Sequence, residues 1–220
     1  MAAKKSTGVK TGKKEAEEKK EGAKSFLKEI LIVIGVVAVI GIVLFAVSGT
    51  WPALIAVESG SMEPNIMTYA LVFVTEENRF GGWQTQEEAI AADSGQVFNG
   101  YGDVIVYKPN GTDGVTPIIH RAIKKITAEE ALEMGFTGDA AHAGVITKGD
   151  NPVTNKEYDQ NGVFKAYGRM QPVKEEWIVG KALFAIPLIG WVPLHIIPCI
   201  LIVIGIIVVM EIVSRVRGRK

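Results

Sequence analysis

The sequence predicts a mainly β, antiparallel domain flanked by an N-terminal and a C-terminal transmembrane helix. Three observations predict it. Two uncharged apolar stretches lie near the ends of the chain, Ile30 to Ser48 and Ala182 to Met210. Lys and Arg gather on the outer side of each stretch. Between them, short apolar runs are divided by Gly, Pro and Asn turns, with little helical periodicity.

The first stretch is 19 residues without a charge. At about 1.5 Å per residue, a helix of that length nearly crosses a hydrocarbon core of about 30 Å. A cleaved signal peptide has a shorter apolar region, about 7–15 residues, behind a short basic start. Here more than twenty polar residues precede the run, so residues 27–48 are expected to be a signal anchor. Pro187, Pro193 and Pro198 interrupt the first half of the second stretch. The second span is therefore placed at 192–213, with 182–191 as its approach.

Orientation follows from the basic flanks. Nine lysines between Lys4 and Lys28 precede the first span, and Arg215, Arg217, Arg219 and Lys220 follow the second. Both flanks are expected to be cytoplasmic, which puts residues 49–191 outside the cytoplasm. That region, about 140 residues, is long enough for one globular domain with its own core. The Lys-rich tail, 1–26, is expected to be disordered and solvated, and 214–220 to be a short basic tail.

Formal net charge is zero, which argues against nucleic acid as a partner. The single cysteine, Cys199, falls in the second span, so the outer domain has no disulfide. His120, His142 and His195 show no metal-ligand spacing with it. No metal or cofactor is expected.

In the outer domain, strands are expected at 53–57, 69–74, 104–107, 117–123, 144–148 and 177–183. Thr127 to Met134 reads as a short helix with Thr127 as N-cap and Glu130 at the capping-box position. Glu76 to Gly102 reads as an insertion with one helical turn near 87–92. Phe80, Trp83 and Trp191 suit either a core or the membrane interface, where Trp is favoured.

Two places bear chemistry. Ser59-Gly60-Ser61-Met62-Glu63-Pro64 follows an apolar strand. Gly60 relaxes the turn and Pro64 fixes its exit, so Ser61 is presented at a strand end, as nucleophilic catalysis requires when a base is in reach. A turn without chemistry fits these residues as well. His120 lies mid-strand on the face of Ile118 and Ala122, either as a satisfied core residue or as a general base. A base needs a third group to orient it. Asp103, Asp113, Asp139, Asp150 and Asp159 are available, and spacing does not choose among them.

Four ordered blocks carry a resemblance: Ser59 to Pro64, Gly102-Asp103-Val104-Ile105-Val106-Tyr107, Ile119-His120-Arg121, and Thr147-Lys148-Gly149-Asp150-Asn151. Behind a signal anchor, this order resembles type I signal peptidase, and within it the archaeal and endoplasmic-reticulum branch, where His stands in place of the bacterial Lys. The resemblance implies an antiparallel β catalytic domain of signal-peptidase type. It implies Ser61 as nucleophile and His120 as general base. Asp159 matches the acid that follows the Gly-Asp-Asn turn, at a longer interval than the family's usual pattern, and Asp150 matches the supporting acid of that turn. The backbone N–H of Ser61 and the hydroxyl of Ser59 are the oxyanion donors expected beside it. The implied activity is removal of signal peptides after small residues, with secretory preproteins, the lipid bilayer and secretion-channel components as partners. The absence of disulfides and the compact two-span layout favour an archaeal plasma membrane, with endoplasmic reticulum as the alternative. A non-catalytic membrane-anchored β-domain that binds partners is the competing function. It is disfavoured because a relic is free to lose Ser61, His120 or either acid.

Overall fold

The computed structural model describes residues 7–164 and 167–217. The first helix, α1 (Thr7–Ser48), contains an apolar segment, Leu27–Ser48, long and apolar enough to cross a membrane. It also runs back through most of the basic tail that was expected to be disordered. Met1 to Ser6 lie outside the described residues. The physical reason for the difference is composition: Lys, Glu and Ala are strong helix formers, and an adjoining apolar helix supplies the nucleus.

The second long helix, α5 (Ile196–Arg217), holds a span-length segment at Ile196–Ser214. It starts four residues later than expected. A one-turn helix, α4 (Trp191–Leu194), precedes it, and His195 breaks the path at φ −122°, ψ 41°. Pro198 falls in the first turn of α5, where its missing N–H has no intrahelical partner to lose.

Ser48 to Arg217 contains the β domain. Its main sheet has six strands in the order β1-β2-β10-β5-β6-β7, all antiparallel. The strands are β1 (Leu54–Ala56), β2 (Leu71–Thr75), β5 (Val104–Tyr107), β6 (Ile118–Ile126), β7 (Gly144–Lys148) and β10 (Ile178–Ile186). The expected mainly antiparallel β fold with flanking apolar helices is what forms. All four residues of β5 are buried, Val104 and Val106 on one face, Ile105 and Tyr107 on the other. Both faces of the sheet are therefore covered: one by Met62 and Ile66, which follow Ser61, the other by Met170 and Val173.

The short helices α2 (Gln86–Ala91) and α3 (Ala128–Glu133) each start with a complete capping box, Thr85/Glu88 and Thr127/Glu130. Two small hairpins were not expected from the sequence. One, β3 (Gln96–Val97) with β4 (Gly100–Tyr101), sits inside the segment read as an insertion. Phe98 and Asn99 take φ of 51° and 57°, the backbone of a two-residue hairpin turn. The other pairs β8 (Val163–Phe164) with β9 (Gly168–Arg169). Among the aromatics left open, Trp83 packs against the core cluster that includes Tyr107, with the Lys125 ammonium 4.8 Å over its ring. Phe80 and Trp191 stay exposed.

Candidate active site

Strand register brings the chemistry together. Ile105 on β5 pairs with His120 on β6, and Ala122 on β6 pairs with Thr147 on β7. Side chains alternate along a strand, so Tyr107, His120 and Thr147 all fall on one face as diagonal neighbours. A one-turn 3-10 segment, Asp159–Asn161, contributes Asp159 to that cluster.

His120 bridges two of the predicted site residues. Its Nε2 lies 3.0 Å from Ser61 Oγ, and its Nδ1 lies 2.6 Å from Asp159 Oδ2. An ionised carboxylate only accepts, so Nδ1 carries the proton and Nε2 is left bare toward Ser61. His120 and Asp159 are 5% and 3% exposed, and Ser61 is half-buried at the edge of the cleft. A hydroxyl, an imidazole and a carboxylate thus stand in one hydrogen-bond chain, the arrangement that a nucleophile, its base and an orienting acid require, with the imidazole screened from bulk water.

The cleft beside Ser61 has a volume of about 390 Å³. One side is residues 55–59 and the other is residues 116–120, with Phe164 and Tyr167 closing part of its wall. Ser59 Oγ donates to Ser61 Oγ at 3.3 Å, so the expected oxyanion hydroxyl stands next to the nucleophile.

The Ser61 turn is held from behind. Asn151 N–H donates to the Ser61 carbonyl at 2.9 Å, and Asn151 Nδ2 donates to the Gly60 carbonyl at 2.7 Å. Gly149 passes so close that a Cβ there would come within 2.5 Å of the Ser61 carbonyl oxygen. Within the turn, the Glu63 carboxylate accepts from Thr68 Oγ1 at 2.6 Å and from Thr68 N–H at 3.1 Å. The Thr68 hydroxyl, and after it the Thr68 N–H, hold the Glu63 carboxyl below its ordinary range.

Asp150 stands apart from His120's ring nitrogens. Its carboxylate receives a two-pronged contact from Arg121, Nε to Oδ1 at 2.8 Å and Nη2 to Oδ2 at 2.6 Å, and a further bond from Asn65 Nδ2 at 2.8 Å. Arg121 was missed as a site element, although it sits next to His120 in sequence. Alternation sends it to the opposite face of β6, where its Nη1 also donates to the carbonyls of Val97, Gly100 and Gly102. Gly100 is required there, since a Cβ would lie 2.9 Å from the guanidinium. Arg121 therefore ties the base-bearing strand to the β3–β4 hairpin and, through Asp150 and Asn65, to the Ser61 turn. Its one cue in the sequence was Asn99, a residue that tolerates positive φ, in the Phe98-Asn99 turn of that hairpin. Asp150→Asn leaves the Arg121 charge buried without its counter-charge. Breaking such a pair costs about 3–5 kcal/mol, so thermal melting of this variant is expected to fall well below wild type.

His142 has no place in the cleft. Its Nδ1 donates to the Ala143 carbonyl at 2.9 Å and its ring stands edge-on to Trp177. Among the described residues, no group of three His, Cys, Asp or Glu side chains converges as metal ligands would.

The chain is similar to the signal peptidase complex catalytic subunit SEC11C of Homo sapiens, 29% identical over 149 residues, 68% of this chain and 59% of that relative. The same subunit of Mus musculus matches equally. Its relatives are signal peptidases. The catalytic subunit SEC11 of Ogataea parapolymorpha is 28% identical over 139 residues, 63% of this chain and 64% of that protein. The chain thus spans about three fifths of the length of these signal peptidase subunits. No family profile matches it. The resemblance to type I signal peptidase read from the four blocks is borne out by these relatives.

Proposed function

We propose that the chain is a membrane-bound serine endopeptidase that removes N-terminal signal peptides from secretory preproteins. The observation that carries the reading is the Ser61–His120–Asp159 contact chain at 3.0 and 2.6 Å. In the proposed reaction, Ser61 Oγ attacks the scissile carbonyl while His120 Nε2 takes its proton. Asp159 stabilises the imidazolium through Nδ1–H. The Ser61 N–H and the Ser59 hydroxyl receive the oxyanion. His120 then passes the proton to the leaving amine, the new N-terminus of the mature protein. A water deprotonated by His120 next attacks the ester on Ser61 and frees the signal peptide. Asp150 supports the site through Arg121 and does not share the proton.

The cleft fits an extended substrate. β1 is an edge strand of the main sheet, and an edge offers unpaired backbone groups to a peptide laid beside it. Met62, Ile118 and Phe164 border the cleft with apolar surface, and the resemblance to signal peptidases implies small residues at the first and third positions before the cut. Placement supports the same reading. The substrate emerges beside a membrane, and an enzyme anchored by its own apolar helices meets it at high effective concentration. The basic flanks assign the β domain to the outer side of the membrane, and we place the chain in an archaeal plasma membrane.

The test is incubation of the purified protein in detergent with a preprotein, with mass spectrometry of the product's new N-terminus. One cut after a small residue is expected, blocked by a bulky residue at the first position before it. No cut in any preprotein carrying small residues there would overturn the reading.

A further inference from the structure

The Asp159 carboxylate has more partners than a triad needs. Its Oδ2 accepts three bonds: from His120 Nδ1 at 2.6 Å, from Thr147 Oγ1 at 2.7 Å and from Tyr107 OH at 3.0 Å. Tyr107 and Thr147 are fully buried, and their hydroxyls are 3.0 Å apart. The proton directions are set by Gln160, itself buried. Gln160 Oε1 accepts the Thr147 N–H at 3.0 Å, which fixes its amide orientation. Gln160 Nε2 then donates to Thr147 Oγ1 at 3.2 Å and to the Gln171 carbonyl at 3.3 Å. With a donor already on its oxygen, the Thr147 hydroxyl turns its own proton to Asp159, and Tyr107 does the same.

We propose that Tyr107 and Thr147 form a hydroxyl clamp on Asp159 that sets the basicity of His120, acting as positioning residues for the Ser61 reaction. This rests on the function proposed above. The physical case is competition for one oxygen. Each hydroxyl draws negative charge from Oδ2, the atom that holds the imidazolium proton. With both in place, the carboxylate is held in orientation, yet grips an imidazolium less firmly than it would alone. Burial and the neighbouring Asp159 charge push the Tyr107 phenol well above its ordinary value, so it remains a donor across the working range.

Other charges near His120 are accounted for. Arg121 lies on the opposite face of β6, paired with Asp150. Lys148 on β7 donates to the Lys156 carbonyl, Lys181 on β10 to the carbonyls of Gly81 and Gly82, and Glu58 lines the cleft. None of them bonds Asp159 or the imidazole.

The experiment compares wild type with Tyr107→Phe, Thr147→Val and Thr147→Ser as full chains in one detergent. It reads preprotein kcat and KM against pH, thermal melting, and the His120 titration by NMR of labelled histidine. In Tyr107→Phe and Thr147→Val the His120 pKa and the acid limb of kcat/KM are expected to rise together, by roughly half a pH unit or more. Plateau kcat is expected to fall about tenfold with KM unchanged. Thr147→Ser keeps the hydroxyl and is expected to follow wild type. If His120 titrates as in wild type in both Tyr107→Phe and Thr147→Val, or lower, the clamp is overturned, whatever the melting temperatures. The titration needs no turnover. A wild type that cleaves nothing therefore sinks the proposed function while the NMR arm still decides the clamp.

Discussion

His120→Ala is expected to reduce preprotein cleavage by roughly 10⁴-fold or more, leaving the residual rate that binding and the oxyanion donors sustain. The reason is geometric. His120 Nε2 is the proposed base, 3.0 Å from Ser61 Oγ, and without it the hydroxyl keeps its proton at neutral pH. His142→Ala serves as the control and is expected to cleave at the wild-type rate, since His142 bonds Ala143 and Gln171 away from the cleft. Cleavage rates for both variants, beside their melting curves, check this. A folded His142→Ala protein without activity would reverse the assignment of the base.

Asp159→Asn is expected to lose about 10⁴ in kcat while keeping a melting temperature near wild type. An amide in this position still offers one oxygen to the donors around it, and its NH₂ finds an acceptor in the hydroxyls of Thr147 or Tyr107. What it lacks is the negative charge that stabilises the imidazolium. It also lets the ring adopt the tautomer with Nε2–H, which is useless as a base. Asp150→Asn is expected to show the opposite pattern, a large loss of stability with the proton chemistry of His120 intact in whatever folds. Measuring kcat and melting for the two variants in one detergent separates the roles. A stable but inactive Asp150→Asn protein beside an active Asp159→Asn protein would exchange them.

Much of this site was legible because its blocks are local. Ser61 on its turn and His120 on its strand each sit in a short stretch whose residue types dictate the backbone. Asp159 was different. Five aspartates were available, and only the resemblance singled one out, because the register that delivers a residue across 39 positions is not written in spacing. Tyr107 and Thr147 were placed on strands correctly, but their meeting depends on which strand pairs with which, and at what offset. Arg121 escaped for a related reason. Many of its partners are backbone carbonyls of a hairpin, and carbonyls leave no residue-type signature. The one cue, Asn99 in the hairpin turn, lay inside a polar segment read as an insertion. The helix across the basic tail was missed because its charge suggested solvation, whereas Lys, Glu and Ala also favour helix once an apolar neighbour nucleates it.

The most direct measurement of the account is the preprotein cleavage rate of purified wild-type chain beside Ser61→Ala, prepared and assayed identically in detergent. The account predicts one cut after a small residue by wild type, and a loss approaching 10⁶-fold in Ser61→Ala with its melting temperature preserved. Cleavage of the same bond by Ser61→Ala at the wild-type rate would contradict it.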